Sequence, residues 1–137
     1  MRAAEISSLL SGIVVVGFCL FLIGLAAVIA VRPSLAEHFL SSFASSAPAH
    51  YTEQLGRLIV GVAMVNFARL MWFPGLFKLF GWLLVITAVG LLLLPWRWHH
   101  EFGKWAIPVA IRHLKLIAIG ASALAAFIVY GASRAVT

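Results

Sequence analysis

The chain contains no aspartate and only four glutamates, and charged residues make up 10% of its 137 positions. A soluble domain carries about a quarter charged residues. Hydrophobic residues account for 64% of the sequence, and the mean hydropathy is +1.08. Water-soluble classes and intrinsic disorder are both excluded, because each needs more charge and less apolar surface. The composition predicts an integral membrane protein.

Cysteine occurs once, at Cys19, inside an unbroken apolar run. A single cysteine excludes an intramolecular disulfide, a CxxC relay and a Cys-rich zinc site, and with them a thiol oxidase. The lack of aspartate excludes Ser-His-Asp catalysis, and the sequence has no GxSxG elbow and no GxxxxGK phosphate loop. We therefore expect a protein that is not an enzyme and uses no cofactor.

The basic residues outnumber the acidic ones and give a net charge of +6. They are scattered singly between apolar runs and form no clustered face, so the sequence argues against nucleic-acid binding. Lys and Arg commonly flank membrane spans, where they meet lipid head groups. The lipid bilayer is the first partner that this pattern predicts.

Four apolar segments are each long enough, at about 19–23 residues, to cross a hydrocarbon core of about 30 Å. Because backbone polar groups must be paired in lipid, each is predicted to be helical. The segments run from about 9–31, 55–73, 76–94 and 111–131, and the second is the most polar. The prediction is an all-α integral membrane protein, a four-helix transmembrane bundle forming one domain over residues 1–137.

Two stretches between these segments are too short and too polar to span. Their apolar residues recur at the spacing of one helical face. These are Leu35, Phe39 and Phe43 in the first stretch and Trp98, Phe102 and Trp105 in the second. We expect both stretches to be short amphipathic helices lying in the membrane interface, where Trp is favoured.

The order span, proline, amphipathic stretch, proline, span occurs twice. The prolines are Pro33 and Pro48 in the first copy and Pro95 and Pro108 in the second. This order indicates a tandem duplication of a two-span unit, with repeats of about 9–73 and 76–131. Both amphipathic stretches then lie on the same side of the membrane.

In the first unit, Pro33 closes a span, an amphipathic stretch follows, and Arg57 precedes Gly61 in the next span. These features resemble the small YjeT-type two-span membrane proteins of proteobacteria, over about residues 20–70 and more loosely 82–131. Over the whole chain, the Phe-Leu-Ser-Ser-Phe-Ala and Pro-Trp-Arg-Trp-His stretches look like small uncharacterised bacterial multi-span membrane proteins. The resemblance transfers no activity and no functional residue. We expect a multi-pass protein of a bacterial inner membrane.

All five histidines fall on one predicted side of the membrane. A metal site needs three or four converging ligands, and neighbouring loops could supply them. No HExxH or similar spacing is present, and histidines sit comfortably at head-group depth without a metal. We therefore predict no metal or haem site, and a metal- or haem-binding protein is an alternative. The candidate ligands are His38, His99, His100 and His113.

Asn66 and Arg69 lie in the second predicted span, three residues apart, and share a helix face. Polar groups inside a membrane suggest a functional site, so this pair is a candidate substrate or ion contact. Helix packing by Asn66 and interfacial anchoring by Arg69 are the simpler explanation, and the substrate or ion contact is the alternative. None of the four glutamates falls inside a predicted span, which argues against a proton-coupled carrier.

Small residues recur every four positions in the last segment and allow helices to approach closely. They suit contacts within the bundle, a homo-oligomer or a membrane-protein partner. We expect an interaction, structural or accessory membrane subunit, and the alternative is an oligomeric channel or facilitator with Asn66 and Arg69 at its constriction. The small residues are Ala118, Ser122 and Ala126 on one row and Ala121 and Ala125 on another.

Overall fold

The computed structural model describes residues 2–137. Within them the protein is all-α, as predicted, with six α-helices and no strand. The helices are α1 (Ala3–Val31), α2 (Pro33–Ser41), α3 (Ala47–Phe67), α4 (Pro74–Leu93), α5 (Trp96–Arg112) and α6 (Leu114–Ala132), with 3₁₀ turns at Ala68–Leu70 and Ser133–Val136.

Three of these helices are long and apolar enough to cross a membrane: α1, α4, and α6 together with its 3₁₀ extension to Val136. They correspond to the first, third and fourth predicted spans and indicate a multi-pass membrane protein. The helix that covers most of the second predicted span, α3, has 21 residues but is too polar to be counted with them. Hydropathy in the described residues therefore supports three spans and does not establish a fourth.

Prolines and one capping serine set the helix boundaries. α1 ends at Val31 because Arg32 precedes Pro33, and its φ of −140° and ψ of 72° are not helical. α3 begins at Ala47, where the Ser46 hydroxyl accepts a hydrogen bond from Ala49 N at 3.3 Å. This start corrects the predicted one at about residue 55, and it places two more helical turns in α3.

The two amphipathic stretches form α2 and α5, and the apolar face of α5 points outward, with Trp98, Phe102 and Trp105 all exposed. α5 continues through Pro108 to Arg112 and so extends from the amphipathic stretch into the start of the fourth predicted span. Pro108 removes the helical partner of the Lys104 carbonyl. Both residues are exposed, so Pro108 lies on the outer face of α5.

The long helices form one core, in which α1 contacts both α3 and α6 and α3 packs along α4. α3 and α4 come very close at Gly61 and Gly81, where a Cβ atom on Gly81 would lie 2.8 Å from the Gly61 carbonyl oxygen. Side chains from all four long helices meet in the interior, among them Val15, Met64, Phe77 and Ile128.

The bundle has two chemically different ends. At the first, which we call the α1-start end, Arg69 Nη2 donates to Ser8 Oγ at 2.9 Å and Trp72 N donates to Gly131 O at 2.8 Å. The starts of α1 and α4 and the ends of α3 and α6 therefore lie together. The opposite end carries both amphipathic helices, and we call it the α2/α5 end.

Candidate functional site

The buried polar residues of α3 are concentrated near the α2/α5 end. His50 and Gln54 are completely buried, and their spacing puts them on one face of α3. His50 Nδ1 lies 2.7 Å from His99 Nδ1, and His50 Nε2 donates to the Leu91 carbonyl at 3.1 Å. One side chain of α3 thus ties the end of α4 to the start of α5.

The partners of the two rings fix where their protons lie. A carbonyl can only accept, so His50 Nε2 carries a hydrogen. In a neutral His50 ring, Nδ1 is then an acceptor, and His99 Nδ1 must be the donor across the 2.7 Å contact. The pair is satisfied when both rings are neutral.

Burial lowers the pKa of His99 below its ordinary value of 6.5. The Glu53 carboxylate raises this pKa and so opposes the effect, whereas His50 and Arg57 lower it further. Burial is the largest of these influences, so the neutral form of His99 is favoured near pH 7. This agrees with the proton positions that the hydrogen bonds require.

An ion pair lies beside the histidines, on a neighbouring face of α3. Arg57 Nη2 donates to Glu53 Oε1 at 3.1 Å. Glu53 Oε2 and both amide atoms of Gln54 are buried and have no hydrogen-bond partner within residues 2–137. Each such atom destabilises a fold by about 1–3 kcal/mol, so these atoms mark positions where a polar ligand would be stabilising.

A second polar region lies at the α1-start end and contains the predicted pair. Asn66 and Arg69 line an open cleft of about 610 Å³ together with Ser7 and Lys78. The cleft has two cationic side chains and no carboxylate in its described lining, so it is electropositive. Asn66 and Arg69 are both exposed, at the end of the bundle. Their role in a channel remains a prediction.

The four candidate metal ligands do not converge. His100 Nδ1 donates to the carbonyl of Ala44, a residue held at a φ of 51°, and His113 Nδ1 donates to the Val109 carbonyl, both at 2.8 Å. His38 is exposed on α2. Only His99 meets another histidine. Across residues 2–137, no three His, Cys, Asp or Glu side chains are placed to hold one metal ion.

Sequence reasoning missed the buried cluster because it started α3 too late. Glu53 precedes the second predicted span, which begins at about residue 55, but lies two turns into α3. The missed signal is Ser46 followed by Pro48, since Ser is favoured at the N-cap and Pro in the first turn. With that start, His50 and Gln54 are recognisable as two polar residues on one face of a long helix.

These features define the class of the molecule as a helical membrane protein with three candidate spans and a buried polar cluster in α3. No known protein family, no curated protein and no solved structure matches the chain. The likeness of each half to YjeT-type proteins therefore rests on the quoted residues alone.

Proposed function

We propose that the chain is a non-enzymatic accessory subunit that binds another membrane protein, or a second copy of itself, along α6. The observation that carries this proposal is the division of the small residues of α6 between two faces. Ala121 and Ala125 are buried in the core, whereas Ser122 and Ala126 are exposed. Gly120 and Ala123 are exposed beside them.

A helix face that meets only lipid needs neither small nor polar side chains. Small residues allow a second helix to approach closely, and a serine hydroxyl can donate a hydrogen bond across such a contact. The buried small residues of α6, Ala121 and Ala125, already pack in the core where α6 contacts α1. The exposed small residues, Ser122 and Ala126, therefore suit a partner outside the bundle.

We also propose that α3 is a fourth crossing, which completes a bundle of two helix–amphipathic–helix units in a bacterial inner membrane. Two contacts support this arrangement. Arg69, just after α3, bonds to Ser8 near the start of α1, and His50, near the start of α3, bonds to Leu91 near the end of α4. The 21 residues of α3 extend about 31 Å, enough to cross the hydrocarbon core.

Site-specific crosslinking tests the α6 proposal. In a Cys19→Ala background, we expect Ser122→Cys carrying a maleimide-linked photocrosslinker to give a discrete higher-mass adduct in membranes. Ile86→Cys, on the exposed face of α4, is the matched control and is expected to give none. Mass spectrometry of the adduct distinguishes a second copy from a different protein.

Equal adducts at the two positions would show that crosslinking reports only membrane crowding. No adduct at Ser122→Cys, together with a monomeric protein in gentle detergent, would contradict the proposal.

A further inference from the structure

A groove of about 820 Å³ opens between α1, α2 and α3, on the side of α3 that carries the ion pair. Its volume lies within the range of about 300–1,000 Å³ that is typical of ligand sites. Aromatic rings form one wall: Phe39 of α2 lies 6.2 Å from the Phe21 ring of α1 and 4.9 Å from the Phe43 ring, measured between centroids. The wall therefore connects α1 to α2 at the α2/α5 end of the bundle.

The groove runs along the helices. Its lining on α3 extends from Pro48 to Val60, which corresponds to about 18 Å. One leaflet accounts for about half of a 30 Å hydrocarbon core. The far end reaches Val14 and Gly17 in the apolar middle of α1. This length and lining suit an acyl chain that enters from the α2/α5 end.

Glu53 and Arg57 are the two charged residues in the described lining of the groove. Glu53 Oε1 accepts from Arg57, while Glu53 Oε2 is buried without a hydrogen-bond partner within residues 2–137. The Arg57 side chain is 32% exposed and uses one of its five N–H groups on Glu53. A free acceptor and a cation with free donors thus lie side by side.

We propose that this groove binds a phosphatidylethanolamine, with one acyl chain in the apolar channel and the head group on the ion pair. The lipid phosphate pairs with Arg57, and the ammonium donates to the Glu53 carboxylate, whose buried Oε2 turns towards the groove to accept it. Helical side chains lean towards the helix N-terminus, so Arg57 reaches towards the α2/α5 end, where the head group lies. Both contacts are charge-assisted hydrogen bonds, which are about twice as strong as neutral ones.

Other lipids complement the site less well. A fatty acid or a phosphatidylglycerol would satisfy Arg57 but brings no ammonium to Glu53. Phosphatidylcholine has the same two charges, but its quaternary ammonium has no N–H to donate. His99 lies close enough to be influenced by Glu53, but its lowered pKa keeps it neutral near pH 7, so it does not replace the ammonium.

Lipid retention tests the proposal. The full-length protein in detergent is incubated with equal amounts of a phosphatidylethanolamine, a phosphatidylcholine and a phosphatidylglycerol of identical chains, and bound lipid is counted by native mass spectrometry. We expect about one phosphatidylethanolamine per chain, retained about tenfold over phosphatidylcholine, as the loss of one charge-assisted hydrogen bond implies. Glu53→Gln should abolish this preference, and Arg57→Gln should lower retention of all three lipids. Lys78→Gln, at the other end of the bundle, should change nothing.

A second pair of variants leaves the ion pair intact. A Cβ atom at Gly17 or Gly24 would meet nothing within 4 Å, but only Gly17 lines the groove. Gly17→Leu should therefore reduce lipid retention by filling the channel, whereas Gly24→Leu should retain lipid as the wild type does. Equal retention of all three lipids, preference for phosphatidylglycerol, or unchanged binding in Gly17→Leu would overturn the proposal.

Discussion

The contact between two histidines is the most condition-sensitive feature of the molecule at the residue scale. His50 is completely buried and holds both Leu91 and His99, so the position of the start of α5 depends on the His99 ring. The arrangement needs one Nδ1 to donate and the other to accept. A further proton on the pair adds a positive charge in a partly buried site that already contains Arg57.

Acidification should release the start of α5 from the bundle. The pKa of His99 is lowered in the folded protein, so the stability that this residue contributes is present above its ordinary pKa of 6.5 and is lost as the pH falls towards the lowered value. Hydrogen exchange of α5 in nanodiscs, corrected for intrinsic rates, should rise between pH 7.5 and pH 5. His99→Gln should abolish this rise, because the amide still donates to His50 but does not titrate.

His113→Gln is the matched control, because His113 is exposed and bonds only to Val109 in its own segment. It should keep the wild-type pH dependence. If α5 exchange is independent of pH in the wild type, the His50–His99 contact does not control the docking of α5.

At the scale of the elements, the closest helix contact is that of α3 with α4. A Cβ atom at Gly81 would lie 2.8 Å from the Gly61 carbonyl oxygen and 2.8 Å from Val65 N, and neither backbone atom can move without separating the helices. Gly81→Ala should therefore destabilise the protein by about 1–3 kcal/mol, the usual cost of overpacking. Unfolding in mixed micelles by titration with a denaturing detergent measures this change.

Gly90 provides the control on the same helix, since a Cβ atom there would meet nothing within 4 Å. Gly90→Ala should be neutral or stabilising by up to about 1 kcal/mol, because alanine favours the helix. If Gly81→Ala is as neutral or stabilising as Gly90→Ala, the α3–α4 contact is looser than the structure indicates.

The helices differed in how far they could be predicted, for identifiable physical reasons. α1 and α4 are largely apolar and end beside Arg32–Pro33 and Pro95, so hydropathy located both ends within about one residue. The start of α1 is more polar, and the helix begins at Ala3, about six residues before the predicted start. The start of α3 is polar, and there the capping signal at Ser46 was the better guide. The sequence could not show that His50, rather than another histidine, is the buried one. Its burial depends on contacts with α4 and α5, both distant in sequence.

At the scale of the whole molecule, the ends of the bundle differ in chemistry. The α2/α5 end has the histidine pair, the exposed aromatic face of α5 and the opening of the lipid groove. The α1-start end has a cationic cleft. It also carries Arg134, which donates to the Met71 carbonyl at 3.2 Å and lies 5.1 Å from the Trp72 ring centre. Because α1 runs from one end to the other and is a candidate span, the two ends belong to opposite sides of the membrane, and α3 would then have to cross as well.

The number of crossings decides on which sides Ser45 and Thr137 lie. If α3 crosses, Ser45, at the α2/α5 end, and Thr137, after α6, are on opposite sides; if only α1, α4 and α6 cross, both are on one side. In a Cys19→Ala background, we expect an impermeant maleimide added to right-side-out vesicles to label only one of Ser45→Cys and Thr137→Cys. Inverted vesicles should reverse the pattern, and detergent should expose both. Labelling of both from the same side would contradict the four-span arrangement, and it would also conflict with the bond between Arg69 and Ser8, which places the end of α3 beside the start of α1.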